Sequence, residues 1–228
     1  MRRWQIARHR LKSLFLVSWM VISCSAPSGD NAGGGCGGSA ASVSCLAITS
    51  VAPTSAEGGN TSNVDAFQEV CVNSTTGAIT DVELFTDHNA DVVFANRRFP
   101  TATVGAGFDI SIVGYSVSYR LNQCPTAAQG CPPLTGFTVS GVSIFVPRES
   151  ETSITVPFVP LRVKNQFCSA RGELGTAVPS YTATYTFTGR TVGLNDTVTV
   201  TGSAEFTISN FVDSGFSCTG GTRFLAGC

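Results

Sequence analysis

The densest group of polar side chains in the sequence begins at Asp87. Asp87, Asn89 and Asp91 repeat the opening of a D-x-N-x-D calcium loop, in which alternate side chains turn oxygens toward one hard cation. An EF-hand loop also needs glycine at its sixth position and a bidentate acid at its twelfth, where this chain has Val92 and Arg98. The sequence therefore excludes an EF-hand. It favours an acidic turn between two strands over a calcium site completed by distant oxygens.

His88 is one of two histidines, and the other lies in an N-terminal prefix, so a Ser-His-Asp or Cys-His site would have to use His88. The segment around Ser116 comes nearest to a nucleophile elbow, but Ser118 stands where G-x-S-x-G needs its closing glycine. Ser116 also lies within an apolar strand pattern. We interpret Ser116 as a sheet residue and His88 as a solvated turn residue, and the sequence predicts no catalytic residue and no cofactor.

Two pairs of acids could serve glycoside cleavage, which needs two carboxylates and no histidine. Asp81 with Glu83, and Glu149 with Glu151, each share one strand face because side chains alternate along a strand. Both tryptophans lie in the prefix, so the remaining chain lacks the best platform for stacking a sugar. We expect these acids to face water. A secreted, carboxylate-dependent hydrolase stays an alternative hypothesis.

The first 23 residues have the organisation of a signal peptide. Residues 1–12 hold five basic side chains and no acid, and residues 14–22 are apolar apart from one serine. This apolar run is about half of the ~20 residues that a membrane-spanning helix needs. The pattern predicts an exported protein with a signal peptide over residues 1–23.

The junction that follows, Val21-Ile22-Ser23-Cys24, resembles the lipobox of bacterial lipoproteins. The resemblance implies cleavage before Cys24 and acylation of that cysteine, which would anchor the chain to a membrane. Ser25, rather than an aspartate, follows the cysteine, and by the sorting rule of that class this implies the outer membrane or cell surface. Residues 24–42 are rich in Gly, Ser and Ala and predict a flexible tether.

The charge of the remaining chain argues against nucleic acid as a partner. Five of the 14 basic residues lie in the prefix and all 15 acids lie outside it, which leaves nine basic residues and a formal charge of −6. Phosphate backbones are bound by clustered Lys and Arg. The remaining chain is acidic and has no stripe of basic residues, so it lacks the feature that binds nucleic acid.

The cysteines predict disulfides. After Cys24, eight remain, and an even number in an exported chain is typical of disulfide pairing. Their spacing favours a Cys124–Cys131 disulfide within a short loop and a Cys218–Cys228 disulfide that closes the C-terminal tail. Zinc is disfavoured because no two cysteines have CxxC-type spacing. The eight are Cys36, Cys45, Cys71, Cys124, Cys131, Cys168, Cys218 and Cys228.

The stretch from Tyr181 to Phe211 shows most clearly the kind of secondary structure that must position these residues. Apolar side chains alternate with threonines in two runs, separated by a Gly/Asn/Asp turn, which predicts a long antiparallel hairpin with one buried and one hydroxyl-rich face. Similar alternation predicts further strands, with phase changes at Gly114 and Gly141 that indicate bulges. Residues 162–179 are predicted to be mostly loop. The other predicted strands cover 43–51, 66–72, 79–85, 91–94, 109–121, 137–146 and 152–158.

These patterns predict an all-β fold, an elaborated antiparallel β-sandwich over residues 43–228, with two β-domains divided near Pro100 as the alternative. Tyr181 at the start of its strand resembles the tyrosine corner of immunoglobulin-like sandwiches. We expect a membrane-anchored, non-enzymatic binding or structural module whose partner is an envelope protein or a surface polymer. The loops 121–137 and 162–179 are its expected contact regions. A fibre or coat subunit that self-assembles through strand edges is the second alternative.

Overall fold

A computed structural model describes residues 44–54, 61–98, 107–125, 131–170, 178–211 and 216–226. Residues 1–43, which include the predicted signal peptide, the tether and Cys24, lie outside these ranges. The described residues form strands and one helix, and the predicted all-β class is confirmed. The strands are β1 (Ser44–Thr54), β2 (Asn63–Asp65), β3 (Glu69–Asn73), β4 (Ile79–Val82), β5 (His88–Arg98), β6 (Ile110–Gln123), β7 (Phe137–Val146), β8 (Ser150–Val159), β9 (Ser180–Thr191), β10 (Thr197–Ser209) and β11 (Gly221–Leu225), and the helix is α1 (Leu161–Ala170).

The strands form three sheets. The three-stranded sheet has the order β1-β5-β8, the five-stranded sheet β2-β10-β9-β6-β7, and the small sheet β11-β3-β4. Their pairs are antiparallel except that β2 runs parallel to β10. Each sheet joins strands from both sides of residue 100, so the described strands do not separate there.

The core lies between the three-stranded and five-stranded sheets. The Phe94 ring meets the Phe187 ring edge-on, with centroids 4.8 Å apart. Gly202 of β10 lies so close to β1 that a Cβ atom there would be 2.7 Å from Ile48 Cγ2. Packing this tight across the two layers makes the body a β-sandwich, in which every second residue of a strand is buried.

The predicted hairpin is present, with β9 and β10 paired from Thr197↔Arg190 to Thr207↔Ser180. The predicted bulge is confirmed at Gly114, where the register of β6 shifts against both β7 and β9. Threonines and serines of neighbouring strands lie opposite one another on the outer face of this sheet. The hydroxyl-rich face is therefore the one turned away from the core.

The loop prediction for residues 162–179 is wrong at its start, because helix α1 occupies Leu161–Ala170. The backbone N–H groups of Val163 and Lys164 both donate to the Pro160 carbonyl, at 2.8 and 3.1 Å, and this begins the helix. The helix buries Val163 and Phe167 at i,i+4 spacing. Ten residues give too short an apolar stripe to stand out in a β-rich sequence.

Strand β5 also differs from the prediction of a short edge strand over residues 91–94. It runs for 11 residues and lies in the centre of its sheet, between β1 and β8. Ala90, Val92 and Phe94 are all buried, so alternation begins where the polar residues suggested a turn.

The sandwich has two distinct ends. At the Ser44 end, β1 starts opposite Arg98 and β6 starts opposite Val146. At the helix end, His88 lies opposite Val159; strand β4 of the small sheet precedes His88 in the chain, and helix α1 follows Val159. In the part of the chain that the structure describes, no helix is long and apolar enough to cross a membrane.

Candidate functional site

A group of buried ionisable side chains lies at the helix end. Asp65 ends β2, Glu69 begins β3, and Glu83 follows β4, while Lys164 comes from α1. Their exposed fractions are 8%, 8%, 2% and 5%, so charge is held here almost without solvent. Charged groups are seldom buried unless they are paired or functional, and this group is therefore the candidate site. We call the three acids Asp65, Glu69 and Glu83, together with Asn210, whose side chain binds Glu69, the acidic cluster.

The Asp65 carboxyl has a strongly raised pKa. Its Oδ1 accepts hydrogen bonds from the backbone N–H groups of Phe67, at 3.3 Å, and Phe211, at 3.1 Å. Its pKa is raised from 3.8 to about 7, mainly by burial and also by the Glu83 charge, while the two N–H donors and the Lys164 charge oppose the rise. Asp65 Oδ2 is buried and has no hydrogen-bond partner in the part of the chain that the structure describes.

Glu69 is the first residue of β3, so it links the acidic cluster to the small sheet. Asn210 Nδ2 donates to Glu69 Oε1 at 2.7 Å, and the Glu69 backbone N–H donates to Glu83 Oε2 at 2.9 Å. Arg223 Nη1 of β11 lies 3.5 Å from Glu69 Oε2, an ion pair without a hydrogen bond to that oxygen. Asn210 Oδ1 is likewise buried without a donor.

His88 is buried, so the prediction of a solvated turn residue is wrong. Its side chain follows the inward phase of β5, only 5% exposed, with its ring 6.0 Å from the Phe158 ring. Nε2 lies 3.1 Å from the Thr61 carbonyl oxygen and donates to it. Burial lowers the pKa of His88 to about 4, the Thr61 hydrogen bond opposes this, and the Lys164 charge adds to it. A neutral imidazole bound to a carbonyl oxygen is not placed to activate a nucleophile.

The calcium candidates of the sequence have other partners. Asp87 Oδ1 accepts the Leu161 backbone N–H at 2.7 Å, and Asp91 Oδ1 accepts the Thr155 hydroxyl at 2.6 Å. Asn89 lies in the ladder opposite Pro157. Across the described ranges, no three His, Cys, Asp or Glu side chains lie close enough to hold a metal ion. These three residues therefore hold strands and helix together.

The remaining catalytic candidates are dispersed. Ser116 lies in the middle of β6, opposite Thr186 of β9 and Thr138 of β7, as a sheet residue. Glu83 is buried, which contradicts the expectation that it faces water, whereas Asp81 is exposed. Glu83 Oε2 accepts the Glu69 backbone N–H at 2.9 Å, whereas Asp81 Oδ1 accepts the backbone N–H of Val82, so the two carboxylates bind different parts of the backbone.

Glu149 and Glu151 lie at the Ser44 end and pair with arginines of β5. Arg98 Nε is 3.8 Å from Glu149 Oε1, and Arg97 Nη2 is 4.0 Å from Glu151 Oε1. These side chains line a shallow surface depression of about 410 Å³. Exposed pairs at such distances contribute little to stability, about 0–1 kcal/mol.

The disulfides agree with the sequence prediction at one pair and correct it at the other. Cys124 bonds to Cys131, with Cα atoms 5.7 Å apart. Cys218 bonds to Cys71, with Cα atoms 5.3 Å apart, so the predicted Cys218–Cys228 staple is wrong. Pairing of β11 with β3 brings the distant Cys71 beside the tail, which sequence spacing could not show. Cys228 lies outside the described residues, and the other described cysteines, Cys45 and Cys168, are also disulfide-bonded.

The outer face of the small sheet is apolar. Phe224, Val70 and Val82 lie opposite one another across its three strands, and Val72 lies opposite Ile79. Ile79, Val82 and Phe224 are 62%, 51% and 52% exposed. Exposed apolar side chains in register mark interaction sites more often than isolated ones do.

One signal in the sequence pointed to the acidic cluster. Glu69 has the same phase as Cys71, so a buried disulfide cysteine implies a buried acid two residues before it. No local pattern marks Asp65 or Asn210, because the fold alone joins β2 to the end of β10. No protein-family model, curated protein or solved structure matches this chain.

Proposed function

We propose that this chain is an exported, lipid-anchored β-sandwich module that acts at the cell envelope by contact with another protein, without catalysis. The signal-peptide pattern and the lipobox resemblance at Cys24 support export and anchoring. The dispersed catalytic candidates and the engaged, neutral His88 support contact over chemistry.

One observation supports the proposal: Ser44, where the tether would join, and the apolar face of the small sheet lie at opposite ends of the sandwich. The tether would join the sandwich at Ser44, opposite Arg98. The small sheet adjoins the other end of β5 and β10, since β4 precedes His88 and β11 follows Ser209 in the chain, and these two strands are 11 and 13 residues long. At ~3.3 Å per residue, this separates the two by about 35 Å. The apolar face is thus held away from the membrane that carries the anchor.

The chemistry of this face favours a protein partner. Its side chains in register are Val70, Val72, Ile79, Val82 and Phe224, with no charged group among them. An anionic polymer or a lipid headgroup would need Lys or Arg. A neutral, apolar surface on an envelope protein would complement this face, and the two would form the apolar core of an interface.

A photocrosslinker placed at Phe224 tests this proposal in the native envelope. The matched control is Phe145, an aromatic residue on β7 that is 54% exposed, against 52% for Phe224, and lies near the Ser44 end. We expect one discrete adduct from Phe224, none from Phe145, and loss of the adduct in Val82→Lys. Equal labelling from both positions would contradict contact through the small sheet.

Anchoring is tested separately with Cys24→Ser. We expect the wild-type chain in the membrane fraction and the variant in the soluble exported fraction. Membrane recovery that is unchanged in the variant would contradict lipid anchoring, while leaving the crosslinking result to be judged by itself.

A fibre or coat subunit is the second candidate, favoured by one edge of the five-stranded sheet. Strand β2 covers β10 only over Thr207–Ser209, and no other described strand pairs with that edge from Thr197 to Phe206. An open edge of ten residues can accept a strand from another copy. Electron microscopy of the cell surface would show filaments if copies assemble in this way.

A further inference from the structure

The acidic cluster contains three buried oxygen atoms without a hydrogen-bond donor. They are Asp65 Oδ2, Glu69 Oε2 and Asn210 Oδ1. A buried polar atom left unsatisfied costs roughly 1–3 kcal/mol. Glu69 Oε2 has the Arg223 guanidinium at 3.5 Å as its ion-pair partner, while Asp65 Oδ2 and Asn210 Oδ1 have no hydrogen-bond partner among the described residues, which indicates that a further group satisfies them.

The three side chains meet at one point of the backbone. The peptide that joins Asn210 to Phe211 provides the Phe211 N–H for Asp65 Oδ1, at 3.1 Å, while the Asn210 side chain binds Glu69 Oε1 at 2.7 Å. Both carboxylates are thus fixed through one oxygen beside the same peptide. The second oxygen of each carboxylate accepts no hydrogen bond from the described residues, and neither does Asn210 Oδ1.

Charge is not balanced around this point. The carboxylates are Asp65, Glu69 and Glu83, and the cations that act on them are Lys164 of α1 and Arg223 of β11. His88 is neutral at physiological pH. Among the described residues, three acidic side chains lie near two cationic ones, and Asp65 and Glu69 are each only 8% exposed to water.

We propose that Asp65, Glu69 and Asn210 bind a divalent cation, of which Ca²⁺ fits best. Calcium takes carboxylate and amide oxygens in irregular geometry, whereas Mg²⁺ demands a near-ideal octahedron. Two acids and one amide supply little charge, which places the affinity with extracellular modules, at about 10⁻⁴–10⁻³ M. Such an ion would fasten the small sheet to the end of the sandwich. The site differs from the Asp87–Asp91 motif of the sequence.

Thermal unfolding of the purified full chain in CaCl₂, against KCl of equal ionic strength, tests the site. We expect roughly a 5 °C rise in Tm at about 10 mM Ca²⁺, a smaller rise with Mg²⁺, and no rise in Asp65→Asn or Glu69→Gln. Asp91→Asn is the matched control and keeps the full rise, because Asp91 binds Thr155 instead.

A substitution of Arg223 should change the Ca²⁺ affinity in the opposite direction. Its guanidinium competes for Glu69 Oε2, so Arg223→Gln should bind Ca²⁺ at least about threefold more tightly in equilibrium dialysis. Circular dichroism checks that each variant is folded, and Asn210→Ala replaces any that is not. No Ca²⁺-dependent shift in the wild type, or a shift lost in Asp91→Asn and kept in Asp65→Asn, overturns the proposal.

Discussion

The Asp87 carboxylate and the Leu161 backbone N–H share a 2.7 Å hydrogen bond that joins the start of β5 to the start of α1. The bond satisfies a donor of the first helical turn, which has no partner within the helix. A carboxylate at this position also interacts favourably with the positive end of the helix dipole. The pair therefore fastens the helix to the sandwich across 74 residues of sequence.

Replacing Asp87 by alanine should loosen the helix. We expect Asp87→Ala to lower the free energy of unfolding by about 1 kcal/mol, the usual loss when a capping side chain is removed. Urea denaturation measures the change. Asp81→Ala is the control, since the exposed Asp81 carboxylate accepts only its neighbouring Val82 N–H. Equal effects of the two variants would contradict the capping role.

The raised pKa of Asp65 makes stability depend on pH. Because the folded pKa, about 7, lies above 3.8, the folded state holds the proton more tightly, and the stability that this gives is complete below pH 4 and lost as pH rises through 7. Asp65→Asn removes this dependence. Its advantage over the wild type should grow from pH 4 to 7, by up to the order of 4 kcal/mol, and then stay level. Both proteins keep His88, so its titration cancels. A difference independent of pH would contradict the raised pKa.

His88 offers a direct spectroscopic reading. It is the one imidazole beyond residue 23, so its ring proton can be followed by NMR without overlap in a chain that begins at residue 24. We expect a midpoint near pH 4, because burial lowers the pKa. The folded state then loses stability as pH falls from 6.5 to 4, since the unfolded chain takes up the proton first. A midpoint of 6 or above would show a solvated ring.

The two described disulfides should differ in their contribution. Cys71 and Cys218 close 147 residues, whereas Cys124 and Cys131 close seven. In the chain-entropy account, the first stabilises by about 5 kcal/mol and the second by about 2. Replacing both cysteines of each pair by alanine, followed by urea denaturation, gives the comparison. A larger loss from the short loop would contradict the account. Loss of the Cys71–Cys218 disulfide should also make the backbone amides of β11 exchange hydrogen faster.

The sequence predicted the fold where alternation is local, and it failed where distant segments meet. The hairpin around Tyr181 and the bulge at Gly114 follow from side-chain phase within single strands. Asn89 and Asp91 suggested a turn because polar residues on the outer face of a central strand look the same as a loop. The partner of Cys218 and the union of Asp65 with Asn210 depend on sheet order, which no window of sequence contains.

The pairing of β1 with β5 sets how the body responds to mechanical load. Residues from Ser44 to Thr54 lie alongside Arg98 to Asn89 in one antiparallel ladder. A force applied at Ser44 and resisted at the opposite end of the sandwich would be directed along these strands. All the hydrogen bonds between β1 and β5 would then share the force in shear, instead of breaking one after another. The pairing would therefore keep the domain folded under tension if the chain is anchored as we propose.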